Sequence, residues 1–358
     1  MNDSIPYVIT AISVICGFLN SKSKIISTLQ IFWIWILMAF NSGGMDWSVH
    51  YWLFEDSALG TGLLSPGWGY SNICNFCLKL GMEFYDMNFI VSTVILFVLF
   101  YFIMKLSEKP AFVLSMFTIF PLTDSIIQKR NLLGMMFLYI AFMVLIRRQE
   151  KKNKLLYLFF CLLAFSVHSI YIIYLPIVFL DKLSWNKIKW FVASVLGCSV
   201  IIVPVLPRLA RIFMNNDKLL AYFINWKIPL YQSVCWWGLH ISFCILIYLI
   251  IKYRLQPHDG LLVNYDFVLK INVFFLIVLP LYYYEPTFFR IYRNIFLLDY
   301  VAVSNCMGIN GRFSKKCYFC IVLLIILVLL IFLSQFVWFG VGFDVLVKPL
   351  FDNNKFLN

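Results

Sequence analysis

The run LLYLFFCLLAFSVHSIYIIYLPIVFL, from Leu155 to Leu180, decides how the rest of the chain folds. It contains no charged side chain, and a bilayer core takes about 20 apolar residues per helix. The run therefore suits one long membrane helix or two short ones. A single helix would carry Lys182, Lys187 and Lys189 away from Lys151, Lys152 and Lys154, although Lys and Arg tend to collect on one face of a membrane. Two helices, broken near Phe165-Ser166-Val167-His168-Ser169, keep these lysines together and put His168 at the far tip. We read the run as broken.

Extended in both directions, the same pattern gives twelve hydrophobic spans, near 5–19, 24–40, 88–106, 110–123, 131–147, 155–166, 168–180, 188–206, 233–251, 266–283, 291–307 and 317–339. Several are short for a full crossing. Tilted, broken or re-entrant segments are expected, because irregular backbone at membrane depth persists only where protein or a wet cavity satisfies it. More than half of the 29 Lys and Arg fall in one set of connections, among them Lys22, Lys105, Lys109, Arg147, Lys252 and Lys316. These connections are expected in the cytoplasm, with both termini, the 41–87 and 207–232 loops and the 124–130 and 284–290 connections outside.

The net charge of +12 then reflects this asymmetry and contact with anionic membrane lipids, and no nucleic-acid partner is expected. At 62% hydrophobic and 13% charged residues, a soluble fold is excluded. The first span lacks a small-residue cleavage site and is followed by Lys22 and Lys24, so it reads as a retained helix. The expected fold is all-α: a polytopic integral membrane protein of about 12 transmembrane or re-entrant helices with a cavity on the external face, residues 1–358 forming one domain.

Cys16, Cys161, Cys198, Cys244 and Cys306 lie in apolar runs, where cysteine behaves as a small hydrophobe. Cys74-x-x-Cys77 falls in an outer loop, where an oxidising compartment permits a disulfide. Cys317-x-x-Cys320 opens a helix on the other side, so the two pairs cannot share a zinc ion. No metal is expected. There is no Gly-rich phosphate loop, GxSxG elbow or HExxH pair, so no nucleotide or other cofactor is expected either.

The remaining chemistry gathers in the connections assigned to the outer face. Asn41-Ser-Gly-Gly-Met-Asp46-Trp47-Ser-Val-His50-Tyr51-Trp-Leu-Phe54 leaves the second span through two glycines, and Asp46 is placed to cap the helix that follows. Ser65-Pro66-Gly67-Trp68-Gly69-Tyr70 marks a second turn. Gln128-Lys129-Arg130-Asn131 opens the fifth span, and Arg290-Ile-Tyr292-Arg293 opens the eleventh after Glu285-Pro286. Arg130, Arg290 and Arg293 suit a diphosphate, because the planar guanidinium donates paired, charge-assisted hydrogen bonds. The competing reading is an ion pair from Glu285 to Arg290 or Arg293 that ties two spans together. Asp46, His168 and Glu285 are the candidate acid–base groups; Gln128, Tyr292, Trp47 and His50 are candidate substrate contacts.

The Gly-x-Asp-aromatic segment at 44–47, the Arg130-Asn131 pair, the Phe165-x-x-His168-Ser169 break and the late Arg290-x-Tyr292-Arg293 resemble, in order and spacing, the EpsG family of bacterial polysaccharide polymerases, akin to the Wzy O-antigen polymerases. The family's pattern has Arg-Gln where this chain has Arg130-Asn131, an Arg in place of Asn41, and a Glu in place of Ser65. The resemblance implies a glycosyltransferase of the bacterial cytoplasmic membrane, its active site facing outside, that joins undecaprenyl-diphosphate-linked oligosaccharide repeat units for O-antigen, capsule or exopolysaccharide. A chain-length regulator and a flippase are implied as further partners. Two other classes stay open: a lipid-linked oligosaccharide flippase or other carrier, which would place polar groups near the bilayer midplane, and a membrane acyltransferase acting on glycans.

Overall fold

The computed structural model describes residues 4–59, 67–147, 151–213, 228–254, 263–308 and 314–358. These are helical almost throughout; the only extended pairing among them is an isolated bridge between Asn41 and Asn354. In chain order the helices are α1 (Ile5–Leu19), α2 (Lys24–Ala39), α3 (Trp47–Asp56), α4 (Trp68–Lys79), α5 (Phe84–Leu106), α6 (Pro110–Ile119), α7 (Leu122–Ile127), α8 (Lys129–Arg147) and α9 (Lys151–Val167). After a 3-10 segment, Ser169–Phe179, come α10 (Trp185–Phe213), α11 (Leu230–Tyr253) and α12 (Tyr265–Phe275), the last prolonged by 3-10 turns over Leu276–Tyr283. The chain closes with α13 (Phe289–Arg293), α14 (Phe296–Cys306), α15 (Lys315–Leu333), α16 (Phe343–Leu346) and α17 (Pro349–Asp352).

Each of the twelve expected spans coincides with helical backbone, but length and apolarity support fewer complete crossings. Six helical stretches among the described residues are long and apolar enough to cross alone: Phe84–Leu106, Lys129–Ile146, Trp185–Pro207, Leu230–Tyr253, Tyr265–Tyr283 and Lys315–Trp338. Others are too short: α6 has 10 residues and α14 has 11, against the roughly 20 a bilayer needs. Both are buried along almost their whole length, so they form the centre of the bundle and lean on neighbours. Connection 207–232 lies outside the described residues between 214 and 227.

The 155–180 run is broken where the sequence indicates. α9 ends at Val167, His168 is extended at φ −149° and ψ 121°, and the chain resumes as the 3-10 segment. Ser166 turns its hydroxyl back to the Leu163 carbonyl at 2.7 Å, and the imidazole Nδ1 of His168 accepts the Ile170 N–H at 3.3 Å. Such local side-chain bonds compete with the helix ladder and stop it. Gly69 of α4 lies directly against Ser166: a Cβ there would overlap the Ser166 hydroxyl.

The broken run returns the basic connections to one end of the bundle. There Lys109 donates to the Met307 carbonyl at 2.7 Å, Lys154 pairs with Asp181 at 2.5 Å, and Trp185 donates to Asp266 at 2.8 Å. The opposite end collects the 40–46 hinge, α3, α4, α7, the His168 break and the 284–293 segment. Cys74 and Cys77 are both free thiols on α4.

Candidate functional site

At the less basic end, one side chain joins the pieces. Arg293 is only 3% exposed; one terminal nitrogen donates to Asp124 Oδ2 and the other to Gln128 Oε1 at 2.8 Å. Asp124 belongs to the short helix α7, which follows the cis Phe120–Pro121 bond, and is 4% exposed in this pair. Arg290 and Asp46 are both within electrostatic reach of Asp124. Arg290, half-buried, directs Nε to the Thr287 carbonyl at 3.1 Å, and no acceptor among the described residues engages its two terminal nitrogens. The two arginines therefore differ in kind: one is locked by a carboxylate and an amide, the other presents its fork.

The Glu285 ion pair of the competing reading does not form among the described residues, and Asp124 takes the partner role. Glu285 instead caps the turn Pro286–Phe288, its Oε1 accepting the Thr287 N–H at 3.4 Å and the Thr287 hydroxyl at 2.6 Å. Asp46 holds the N-cap position of α3, yet its carboxylate makes no capping bond; at φ −95° and ψ 5° its backbone departs from the extended cap geometry that aims a side chain at the first turn.

Arg130 goes elsewhere. Its guanidinium donates to the Val167 carbonyl at 3.3 Å, faces the Tyr70 ring at 5.5 Å, and fills the space where a Cβ on Gly67 would stand. Gly67 has φ +85°, a backbone state that favours glycine, so the turn before α4 is shaped to receive this arginine. Burial holds the Tyr70 phenol well above its ordinary pKa, so Arg130 meets a neutral ring. The structure therefore brings Arg290 and Arg293 together and sets Arg130 beside the His168 break.

Trp47 packs on Phe84 and Tyr85, with the Lys129 ammonium 4.7 Å above its ring. Lys129 also donates to Asn88 Oδ1 at 2.5 Å, while Asn88 Nδ2 holds the Ala39 carbonyl at 3.1 Å. The adjoining cavity, lined by Tyr70, Asn88 and Lys129, has about 20 Å³, room for a water and not for a sugar. His50 is buried against Tyr70. Tyr292 is fully buried: its hydroxyl donates to Asn272 Oδ1 at 2.6 Å and its ring stacks on His240 at 3.6 Å, so it supports the arginine segment from beneath.

Sequence reasoning missed Asp124, Lys129 and Asn88. Nothing in Pro121-Leu-Thr-Asp124 marks a buried partner; the one signal was a lone carboxylate in a connection that also carries Lys129 and Arg130. Asn131 and Asn294, exchanging amide bonds at 3.0 and 3.2 Å with Tyr171 beside them, fix α8 to the turn after Arg293.

No curated protein and no solved structure matches the chain. The EpsG family model matches residues 24–340, from α2 to the end of α15 and the turn beyond it, and so includes both arginines, Asp124, the His168 break and the Asp46 hinge. A membrane protein of polysaccharide biosynthesis is what that match supports, and the chain belongs to the EpsG family.

Proposed function

We propose that the protein is a glycosyltransferase that polymerises undecaprenyl-diphosphate-linked oligosaccharide repeat units on the external face of the bacterial cytoplasmic membrane. The observation that carries the reading is the pairing of a locked with an open arginine: Arg293 is held by Asp124 and Gln128, and Arg290 beside it offers an unused fork. A departing lipid diphosphate needs fixed positive charge where its own negative charge develops, and a guanidinium already held in place needs no reorganisation at that moment. Arg290 would grip the diphosphate, and Arg293 would support it electrostatically.

The acceptor hydroxyl must lose a proton. Asp46 is the preferred base, because it lies within electrostatic reach of Asp124 and hence of the arginines. His168 uses Nδ1 to accept the Ile170 N–H, which in the neutral ring leaves the proton on Nε2, and its place at the break beside Arg130 makes it the second candidate for proton transfer. Glu285 is tied to Thr287 and serves the turn. The basic loops gathering at the other end support an external orientation for this one.

One observation favours a carrier instead. Asp299 is fully buried inside α14; Asn272 holds Oδ1 at 2.7 Å, and no described residue bonds Oδ2. Intramembrane carboxylates often mark transport paths. Purified protein in liposomes with lipid-linked repeat units separates the two readings. Polymerisation gives a ladder of lengthening lipid-linked glycans; a carrier moves single units across the bilayer with no ladder, and that outcome would sink the polymerase.

A further inference from the structure

On the flank of the bundle, α10 and α11 both rest on α12 and its 3-10 prolongation. The stripe Leu269, Asn272, Val273, Leu276 and Leu279 floors a slot between them. Those spacings of three, one, three and three keep the stripe on one side of the rod. Leu196 of α10 and Ile241 and Ile245 of α11 form the walls, and the slot encloses about 640 Å³. That is within the roughly 300–1,000 Å³ of sites that take small molecules. Only 6% of the apolar window of α10 is buried, so the slot is flanked by a helix that faces lipid on most of its surface.

The slot is amphipathic along its length. Toward the basic end it meets, at Tyr248 and Leu269, a second cavity of about 370 Å³ lined by Lys252 and Arg254, and Lys189 stands on its own rim. Of the carboxylates nearby, Asp266 is already engaged by Lys270 at 2.9 Å and by the Trp185 indole at 2.8 Å. Glu108 is within electrostatic reach of Tyr265 and Cys306, as Arg254 is, and makes no ion pair with Arg254 among the described residues. Arg254 lies over the Tyr265 ring at 4.3 Å and donates Nη1 to the Ile251 carbonyl at 2.9 Å, while its buried Nε has no partner among the described residues. An unmet guanidinium N–H beside an exposed lysine, continuous with an apolar trough of membrane depth, matches a phosphate ester that carries a hydrocarbon chain.

We propose that this slot is a binding site for an anionic phospholipid, its phosphate on Arg254 and Lys252 and one acyl chain along the Leu269–Leu279 stripe. The site lies at the opposite end from Arg290 and Arg293, so it is separate from the diphosphate site and does not depend on the polymerase reading.

The test is native mass spectrometry of the protein released from nanodiscs of phosphatidylglycerol or of phosphatidylcholine. The wild type should retain phosphatidylglycerol in preference. Removing both charges in Lys252→Ala/Arg254→Ala should weaken that retention about 30-fold, the product of the roughly fivefold that each basic residue contributes near an anionic lipid surface. Val273→Trp, which fills the trough, should remove it while the headgroup residues stay. Inorganic phosphate in excess should not displace the lipid, because the chain contributes. Equal retention of both lipids, unchanged retention by the double variant, or displacement by inorganic phosphate alone would overturn the proposal. So would polyprenyl diphosphate displacing phosphatidylglycerol from the wild type, with its own retention lost in Arg254→Ala and kept in Arg290→Ala.

Discussion

Replacing Asp124 by Asn tests whether the candidate site is organised around a buried ion pair. With its partners 3% and 4% exposed, the Arg293–Asp124 pair falls outside the regime of surface salt bridges, whose loss costs about 0–1 kcal/mol. Removing one partner leaves a desolvated guanidinium with only the neutral Gln128 amide, and breaking a buried pair in this way costs about 3–5 kcal/mol. Replacing both partners by apolar residues of similar volume is often neutral, because neither charge then has to be desolvated. Asp124→Asn and Arg293→Met should therefore each lower the melting midpoint of the detergent-solubilised protein, and Asp124→Leu/Arg293→Met should recover most of the loss. Fluorescence-detected size-exclusion chromatography after a temperature series reads this directly. If Asp124→Asn melts with the wild type, or if the single losses add in the double variant to within about 0.5 kcal/mol, the two charges are not coupled and the locked-arginine argument fails.

Arg290→Lys should leave the melting midpoint unchanged, since its fork engages no described acceptor, yet lower the yield of polymer in liposomes, because a point charge replaces a bidentate donor. Gly67→Ala should destabilise by about 1–2 kcal/mol from its left-handed backbone alone and, by displacing Arg130, impair activity beyond that; equal activity would remove Arg130 from the site. Asp46→Asn should reduce chain extension roughly 10²–10⁴-fold while single lipid-linked units accumulate, with His168→Gln milder because an amide still donates; wild-type polymer length from both would leave the arginines as the whole catalytic proposal. Cysteines placed at 151 and 168 in a background without native cysteines should label from opposite sides of the membrane, and labelling from one side would refute the topology.

The fold was legible where charge and apolarity speak together. The 155–180 run shows it best: apolarity alone allowed one helix, and the lysines on either side required a return, which the chain makes at His168. Lengths were less legible. α6 and α14 look like spans because they are uniformly apolar, but that apolarity serves burial in the bundle centre, and a hydropathy pattern cannot distinguish a lipid neighbour from a protein one. The C-terminal segment was not legible at all. Asn354 holds the Ile36 carbonyl at 3.0 Å, and the Asn353 carbonyl accepts the Ser42 N–H at 2.7 Å, so the end of the chain braces the hinge that carries Asp46. Those contacts span more than three hundred residues and involve backbone atoms, which every sequence has.

The same limit explains the arginines. The arginines were singled out by phosphate chemistry, which says nothing of the partner that each one takes. Glu285 is five and eight residues from Arg290 and Arg293, and proximity along the chain made it the natural counter-ion. Pro286 removes a backbone donor and fixes its own φ, which commits the segment to a tight turn, and in that turn the Glu285 carboxylate finds Thr287 first. Arg290 follows the same turn back to the Thr287 carbonyl. Arg293, one helical turn on, points into the bundle, where burial makes an unpaired charge costly and only a carboxylate from another element can answer it. Asp124 is that carboxylate: α6 ends at Ile119, and α7, which begins at Leu122, carries it. A short central helix and a buried counter-ion are thus one feature: the truncated span that hydropathy overestimated is what delivers Asp124 to the site.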